Sequence, residues 1–265
     1  MRITRVRHRG AVHYAYLEGA ARPDGELRAH LLTAAPWAGG VEEGSVVPVD
    51  ELLCPVEPTK IVCVGRNYRA HAEELGNEVP SEPLLFLKPP SSLVAHGARI
   101  AWPAASDRVD YEGEIAVVIG RSFRGGSRDE AVASIFGVTC ANDVTARDLQ
   151  KKDGQFTRGK GFDTFCPCGP WIETSVGALD ALEVSTVVDG EERQRGTTDL
   201  MIFSIPTLLD YIGSIMTLVP GDLVLTGTPA GVAPMVEGQT VEVTVGGVGT
   251  LRNVMGARAT VPAAP

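Results

Sequence analysis

The stretch Glu112-Gly-Glu-Ile-Ala-Val-Val-Ile-Gly120 decides how the chain is read. Its apolar, β-branched run from Glu114 to Gly120 predicts a strand, and residues two apart on a strand share a face. Glu112 and Glu114 are therefore expected to face one spot. A second apolar stretch, Val138-Thr-Cys-Ala-Asn-Asp143, closes on another carboxylate, so a neighbouring strand can deliver Asp143 to the same place. Three hard anionic ligands suit Mg²⁺, with Mn²⁺ or Ca²⁺ as substitutes, and do not suit zinc, which prefers His and Cys. Acidic residues near strand ends are also commonly solvated or ion-paired. The motif therefore acquires meaning only from its company in the chain.

Around this strand the sequence predicts others at Ile61 to Gly65, Leu84 to Lys88, Val138 to Asn142, Leu182 to Val188, Leu223 to Thr226 and Val241 to Val245. Asp189-Gly190 marks a hairpin leading into a polar strand. Helices are few. Ser127 and Glu130 form a capping box for a helix expected to end at Gly137, and Pro206 suits the first turn of a helix over Ile205 to Ile212. Strands and helices do not alternate regularly, which disfavours a doubly wound sheet or a barrel. The expected class is mixed and mostly β (α+β). Residues 1–57 read as a small β-rich domain with turns at Arg22-Pro-Asp-Gly25 and Ala38-Gly-Gly40, bounded by Cys54-Pro-Val-Glu-Pro58; residues 58–265 read as the main domain. The tail Val261-Pro-Ala-Ala-Pro265 reads as frayed.

The 265 residues suffice for a substantial core without staples. A net charge of -9 opposes sequence-independent binding to nucleic acid, which draws its affinity from Lys and Arg on phosphates. No apolar run reaches the ~20 residues of a membrane span, and the basic N-terminus lacks the apolar core of a secretory signal, so a cytoplasmic protein is expected. Five scattered cysteines read as buried reduced thiols.

Further candidates for chemistry lie on either side of the acidic motif. Arg66-Asn-Tyr-Arg-Ala-His71-Ala-Glu-Glu74-Leu-Gly76 reads as a short helical turn on which His71 and Glu74 share a face. A histidine held by a carboxylate can take a proton from water near neutral pH, although the same pair can simply satisfy itself on a surface helix. Lys160 sits between glycines that would let backbone approach a ligand, and it reads as a positive charge beside the metal site or as a solvated lysine. Gly154 to Lys160 matches the start of a phosphate-binding loop. Gly161 supplies no hydroxyl for Mg²⁺ at the eighth position, so nucleotide binding is rejected. Leu225-Thr-Gly-Thr-Pro-Ala-Gly231 ends a strand in a loop where Thr228 and backbone N–H groups can hold a carboxylate or merely make a tight turn.

Taken together, Val62-Cys-Val-Gly-Arg-Asn-Tyr68, His71-x-x-Glu74, Phe86-Leu-Lys-Pro89, Glu112-x-Glu114, Asn142-Asp-Val-Thr-Ala-Arg-Asp148, Lys160-x-Phe-Asp163, Met201-Ile-Phe-Ser-Ile-Pro206 and Leu225-Thr-Gly-Thr-Pro-x-Gly231 resemble the fumarylacetoacetate hydrolase family. The likeness is to its acylpyruvase-like and oxaloacetate-decarboxylase-like members. The motifs run in family order from about residue 60 to 255, whereas residues 1 to 55 match only loosely. The resemblance implies a mixed β-roll, usually built as a homodimer, with Glu112, Glu114 and Asp143 binding Mg²⁺ or Mn²⁺. It places Arg147, Gln150, Lys160 and Thr228 around the oxo-acid end of a substrate, and His71 with Glu74 as a water-activating pair on a lid.

Three functions follow as expectations. The first is a metal-dependent enzyme acting on carbon–carbon bonds of 2-oxo or 1,3-diketo acids through an enolate, by acylpyruvate hydrolysis or oxaloacetate decarboxylation. The second is a 2-hydroxyhepta-2,4-diene-1,7-dioate isomerase or decarboxylase of aromatic-acid catabolism. The third is a non-catalytic module in which the carboxylates only tie strands together.

Overall fold

A computed structural model describes residues 1–19 and 26–260. The turn expected at Arg22 to Gly25 and the tail expected at Val261 to Pro265 lie outside the described residues. The expected class holds: the chain is mostly β, with short helices. The strand Gly113–Ile119 is buried at all seven positions, which explains its unbroken apolar run, because both of its faces are covered. Ile115, Val117 and Ile119 share a core with Val184, Val243 and Val245 of the second sheet and with Ile205, Leu209 and Ile212 of the helix Ile205–Ile215. Ala116 and Val118 face the other way, onto Ile61, Cys63, Leu223 and Leu225.

Gly113–Ile119 lies inside a 12-stranded sheet. On one side it pairs antiparallel with Leu223–Leu225, which runs parallel to Ile61–Gly65, and Leu84–Lys88 closes that edge. On the other side it pairs antiparallel with Ile135–Asn142, which pairs with Cys166–Glu173. The N-terminal strands continue the sheet beyond this point, through Arg2↔Glu173 and Ile3↔Ile172. A second sheet of five strands contains the predicted hairpin, Glu183–Val188 and Glu191–Thr197.

One expectation needs correction. The capping box at Ser127 is present, but its helix is only Arg128–Ala133, and Gly137 lies inside the strand Ile135–Asn142. A side chain at Gly137 would put its Cβ 2.4 Å from the Glu173 carbonyl oxygen, so this glycine lets two strands meet rather than ending a helix.

Candidate active site

Strand pairing assembles the acidic cluster. Gly113 lies opposite Asn142, the Asp143 N–H donates to the Glu112 carbonyl at 2.8 Å, and the Asn142 side chain accepts from the Glu112 N–H at 2.9 Å. The strand ends are thus locked side by side. As the sequence predicts, Glu112, Glu114 and Asp143 come together: each is buried and offers an oxygen within 4.8 Å of the others.

Such a concentration of buried charge has to be answered. Lys160 donates to Glu112 Oε2 at 2.8 Å and to Asp143 Oδ2, and Arg147 donates to Glu112 Oε1. Arg147 also donates to Asp110 at 2.8 Å and to Gln150 at 2.7 Å. Lys88, which the sequence reading did not single out, is fully buried and donates to Asp143 Oδ1 at 2.6 Å and to the Val144 carbonyl at 3.1 Å. Its position in Phe86-Leu-Lys-Pro89 on an edge strand gave a signal only in hindsight, as a lysine among apolar residues.

Glu114 is the exception. Its carboxylate accepts from the Gly227 N–H at 2.7 Å, and among the described residues it has no ion pair. Burial raises its pKa well above the usual carboxylate range, and the nearby charges of Asp143 and Glu112 push the same way. Burial presses Glu112 in the same direction, yet Lys160 and Arg147 win and hold it well below its ordinary value. Lys160 itself is driven upward: burial opposes its charge, but Asp143 and Glu112 outweigh that penalty.

The loop after Leu223–Leu225 is held against the cluster by close backbone approaches. Gly227 has φ +100°, and a Cβ there would stand 2.7 Å from Asn67 Cβ, so only glycine lets its N–H reach Glu114. Thr228 lines the cavity, but its hydroxyl already donates to the Gly113 carbonyl at 2.9 Å and accepts from Gln194 Nε2 at 2.8 Å. Gln194 also accepts from the Gly113 N–H at 3.0 Å. This buried glutamine, unremarkable in a polar strand, fixes the glycine between the two glutamates.

His71 and Glu74 lie on the short helix Arg69–Glu74. His71 lines the cavity and is buried, and burial pulls its imidazole below the ordinary 6.5 despite the nearby Glu112 carboxylate. Its Nδ1 is 3.5 Å from Glu74 Oε2, without hydrogen-bond geometry. The Glu74 carboxylate instead accepts from the Gly231 N–H at 3.0 and 3.1 Å. The glycines around Lys160 also act differently from their sequence reading. Lys160 ends the helix Phe156–Lys160, and a Cβ on Gly159 would lie 2.9 Å from Gln150 Cα, so Gly159 permits helix packing rather than ligand approach.

The cavity of about 260 Å³ takes in His71, Glu112, Glu114, Asp143, Lys160 and Thr228. Arg147 and Gln150 line it as well. All nine residues singled out from sequence thus border one cavity except Glu74, which flanks it through His71. The donor set, hard carboxylate oxygens with one uncompensated member, fits a divalent cation such as Mg²⁺ or Mn²⁺.

Comparison with known proteins agrees with this geometry. The fumarylacetoacetate (FAA) hydrolase C-terminal profile matches residues 60–255, and an Rv2993c-like N-terminal profile matches residues 1–55. A mitochondrial oxaloacetate tautomerase from Arabidopsis thaliana is 48% identical over 195 residues, 72% of this chain and 87% of that protein. A mitochondrial oxaloacetate decarboxylase from Dictyostelium discoideum is 45% identical over 197 residues, 72% and 90% of the two chains. The crystal structure of 2-hydroxyhepta-2,4-diene-1,7-dioate isomerase from Mycobacterium marinum superposes with a TM-score of 0.89 at 42% identity, covering 98% of this chain and 100% of that one.

Proposed function

The chain belongs to the fumarylacetoacetate hydrolase family and is an enzyme, and from that premise we propose that it forms and quenches enolates of 2-oxo acids with Mg²⁺ or Mn²⁺, oxaloacetate being the leading substrate. The observation that carries this reading is Glu114, a buried carboxylate without a cationic partner among the described residues, beside two that have them. A divalent cation, when held by Glu112, Glu114 and Asp143, supplies Lewis acidity to the carboxylate and oxo group of a 2-oxo acid.

The chain's own residues supply the rest. Lys160, itself buried, brings a fixed positive charge to the oxygen on which negative charge develops. Arg147, braced by Asp110 and Glu112, orients the oxo-acid end. His71, kept neutral near pH 7 by burial, is the group that takes a proton from the carbon next to the oxo group or returns one to it.

Enolate formation by loss of CO₂ and enolate formation by proton removal share this machinery, so decarboxylation and tautomerisation of oxaloacetate are both supported. Hydrolysis of an acylpyruvate asks for more, namely a base held by a carboxylate, and Glu74 spends its oxygens on Gly231 instead. The likeness to the dioate isomerase favours a second reading, proton relocation in an unsaturated dioate, which uses the same residues.

We also propose a homodimer, supported by Leu84 and Leu87, which are 37% and 47% exposed on an edge strand of the larger sheet. Sedimentation at micromolar concentration tests it.

For the enzyme, the test is a panel of oxaloacetate, acetylpyruvate and the heptadienedioate, each assayed with Mg²⁺ and with chelator. Enol–keto conversion or CO₂ release from oxaloacetate should need the metal and should be lost in Glu114→Ala. Rates indifferent to both would overturn the reading.

A further inference from the structure

The cations in the cavity divide into two sets. Lys160 and Arg147 are tied to Asp110, Glu112, Asp143 and Gln150. Arg66 and Lys151 also line the cavity, yet among the described residues no hydrogen bond or ion pair commits either of them. Lys151 is exposed, as a lysine at a cavity mouth should be, but Arg66 is half-buried. A partly buried guanidinium without an anion is unusual, because charge withdrawn from water is ordinarily paired.

The backbone makes Arg66 more unusual still. Its φ is +59°, a conformation that residues other than glycine and asparagine rarely adopt and that tends to be retained where the side chain has work to do. The surroundings enforce this conformation. The preceding strand Ile61–Gly65 is paired on both edges, and the following Asn67 is fixed by its side chain, which donates to the Thr226 carbonyl at 2.8 Å and to the Phe203 carbonyl at 3.0 Å. Arg66 is thus held on the wall of the cavity that also takes in Glu112, Glu114 and Asp143.

The same cavity has an apolar wall: Leu75, Phe86 and Phe156 line it, the two rings meeting edge to face at 5.4 Å. A ligand that matches this arrangement has an oxo-acid group at one end, a short carbon chain in the middle and a second anionic group at the other. An arginine fork suits a carboxylate there, since it binds both oxygens at once.

We propose that Arg66, assisted by Lys151, is a second anion site that binds the distal carboxylate of the substrate and makes the enzyme selective for 2-oxo dicarboxylates over 2-oxo monocarboxylates. This inference rests on the reading of the cavity as a 2-oxo acid site. It also ranks oxaloacetate and the heptadienedioate above uncharged-tail acylpyruvates.

The test is titration calorimetry on the Mg²⁺-loaded protein with acids matched in chain length: 2-oxoglutarate against 2-oxopentanoate, and 2-oxoadipate against 2-oxohexanoate. The diacid of at least one pair should bind about 10- to 100-fold more tightly, the range expected of a charge-assisted hydrogen-bonded pair. Arg66→Asn should bring that ratio close to one, and because asparagine tolerates the left-handed conformation, the variant should melt like the parent. Should it not, Arg66→Gly replaces it in the same comparison. Equal binding of diacid and monoacid by the parent, or a preference that survives both substitutions, overturns the second anion site while leaving the oxo-acid reading standing. If none of the four acids binds at all, the oxo-acid reading falls and takes this inference with it.

Discussion

Glu114 and His71 are tuned by burial in ways that pH exposes. For Glu114 the folded pKa lies above the ordinary 4.5, burial being the largest cause. The folded chain therefore keeps a proton that the unfolded chain gives up. The associated stability is present below about pH 4.5 and is lost as pH rises toward the folded value. Glu112 has the opposite sign: its contribution is present above 4.5 and is lost as pH falls. Comparison with Glu114→Gln isolates the first effect. Without divalent metal, the variant should gain stability over the parent progressively as pH rises above 4.5. With Mg²⁺ the order should reverse, the parent gaining melting temperature and the variant little, because metal binding removes the proton. A parent whose metal-free stability matches the variant's at every pH would show that Glu114 is not strained by burial. His71 has a folded pKa below 6.5, so its stability contribution is present above 6.5 and is lost as pH falls from there through the folded value. His71→Gln should slow deuterium exchange at the carbon beside the oxo group of a bound 2-oxo acid by about 10²- to 10⁴-fold. Mg²⁺ affinity, measured by calorimetry, should change little, and unaltered exchange would remove His71 from the proton transfer.

The two helices Arg147–Asp153 and Phe156–Lys160 carry four of the cavity's polar groups, Arg147, Gln150, Lys151 and Lys160, and they cross where Gly159 meets Gln150. Gly159→Ala would force a Cβ to 2.9 Å from the Gln150 backbone, and backbone cannot swing aside as the end of a side chain can. Overpacking of this kind costs about 1–3 kcal/mol. It should also move Lys160 off Glu112 and Asp143, so the expected outcome is a lower denaturant midpoint together with a larger loss of kcat than of KM. An unchanged midpoint would mean that the helices separate without resistance. The elements themselves were legible to different degrees, for physical reasons. Ile61–Gly65 and Gly113–Ile119 announced themselves as β-branched apolar runs and Leu84–Lys88 as an apolar one, and the acidic cluster followed from the ends of Gly113–Ile119 and Ile135–Asn142. Cys166–Glu173 did not, because Pro167, Gly169 and Pro170 interrupt a strand that burial on every residue nevertheless enforces. Lys88 and Gln194 were invisible for a related reason: what makes them matter is the partner each reaches across the sheet, and no local pattern records a partner 55 or 34 residues away.

At the scale of the whole molecule, the first 55 residues raise the remaining question of organisation. The acidic cluster and the cations paired with it all come from Lys88 to Lys160, so the N-terminal strands contribute no side chain to it. Packing does. Ile3 shares a buried cluster with Ile172, Cys166 and Cys168, and Val6, Ala15, Leu17, Ala29 and Leu31 belong to the cluster that contains Trp171. Removing residues 1–55 would strip pairing from Glu173 and Ile172 and uncover the apolar surface behind them. An uncovered strand edge beside apolar surface is a site of association. A chain beginning at Val56 is therefore expected to melt lower than the parent and to aggregate on heating, while binding Mg²⁺ with the same stoichiometry, which calorimetry reads directly. Were the shortened chain to melt with the parent, the N-terminal strands would be an appended unit whose contacts contribute no net stability. Loss of Mg²⁺ binding in a shortened chain that keeps its circular dichroism would show instead that the sheet transmits the position of Cys166–Glu173 to the ends of its neighbours, Asn142 and Asp143 among them.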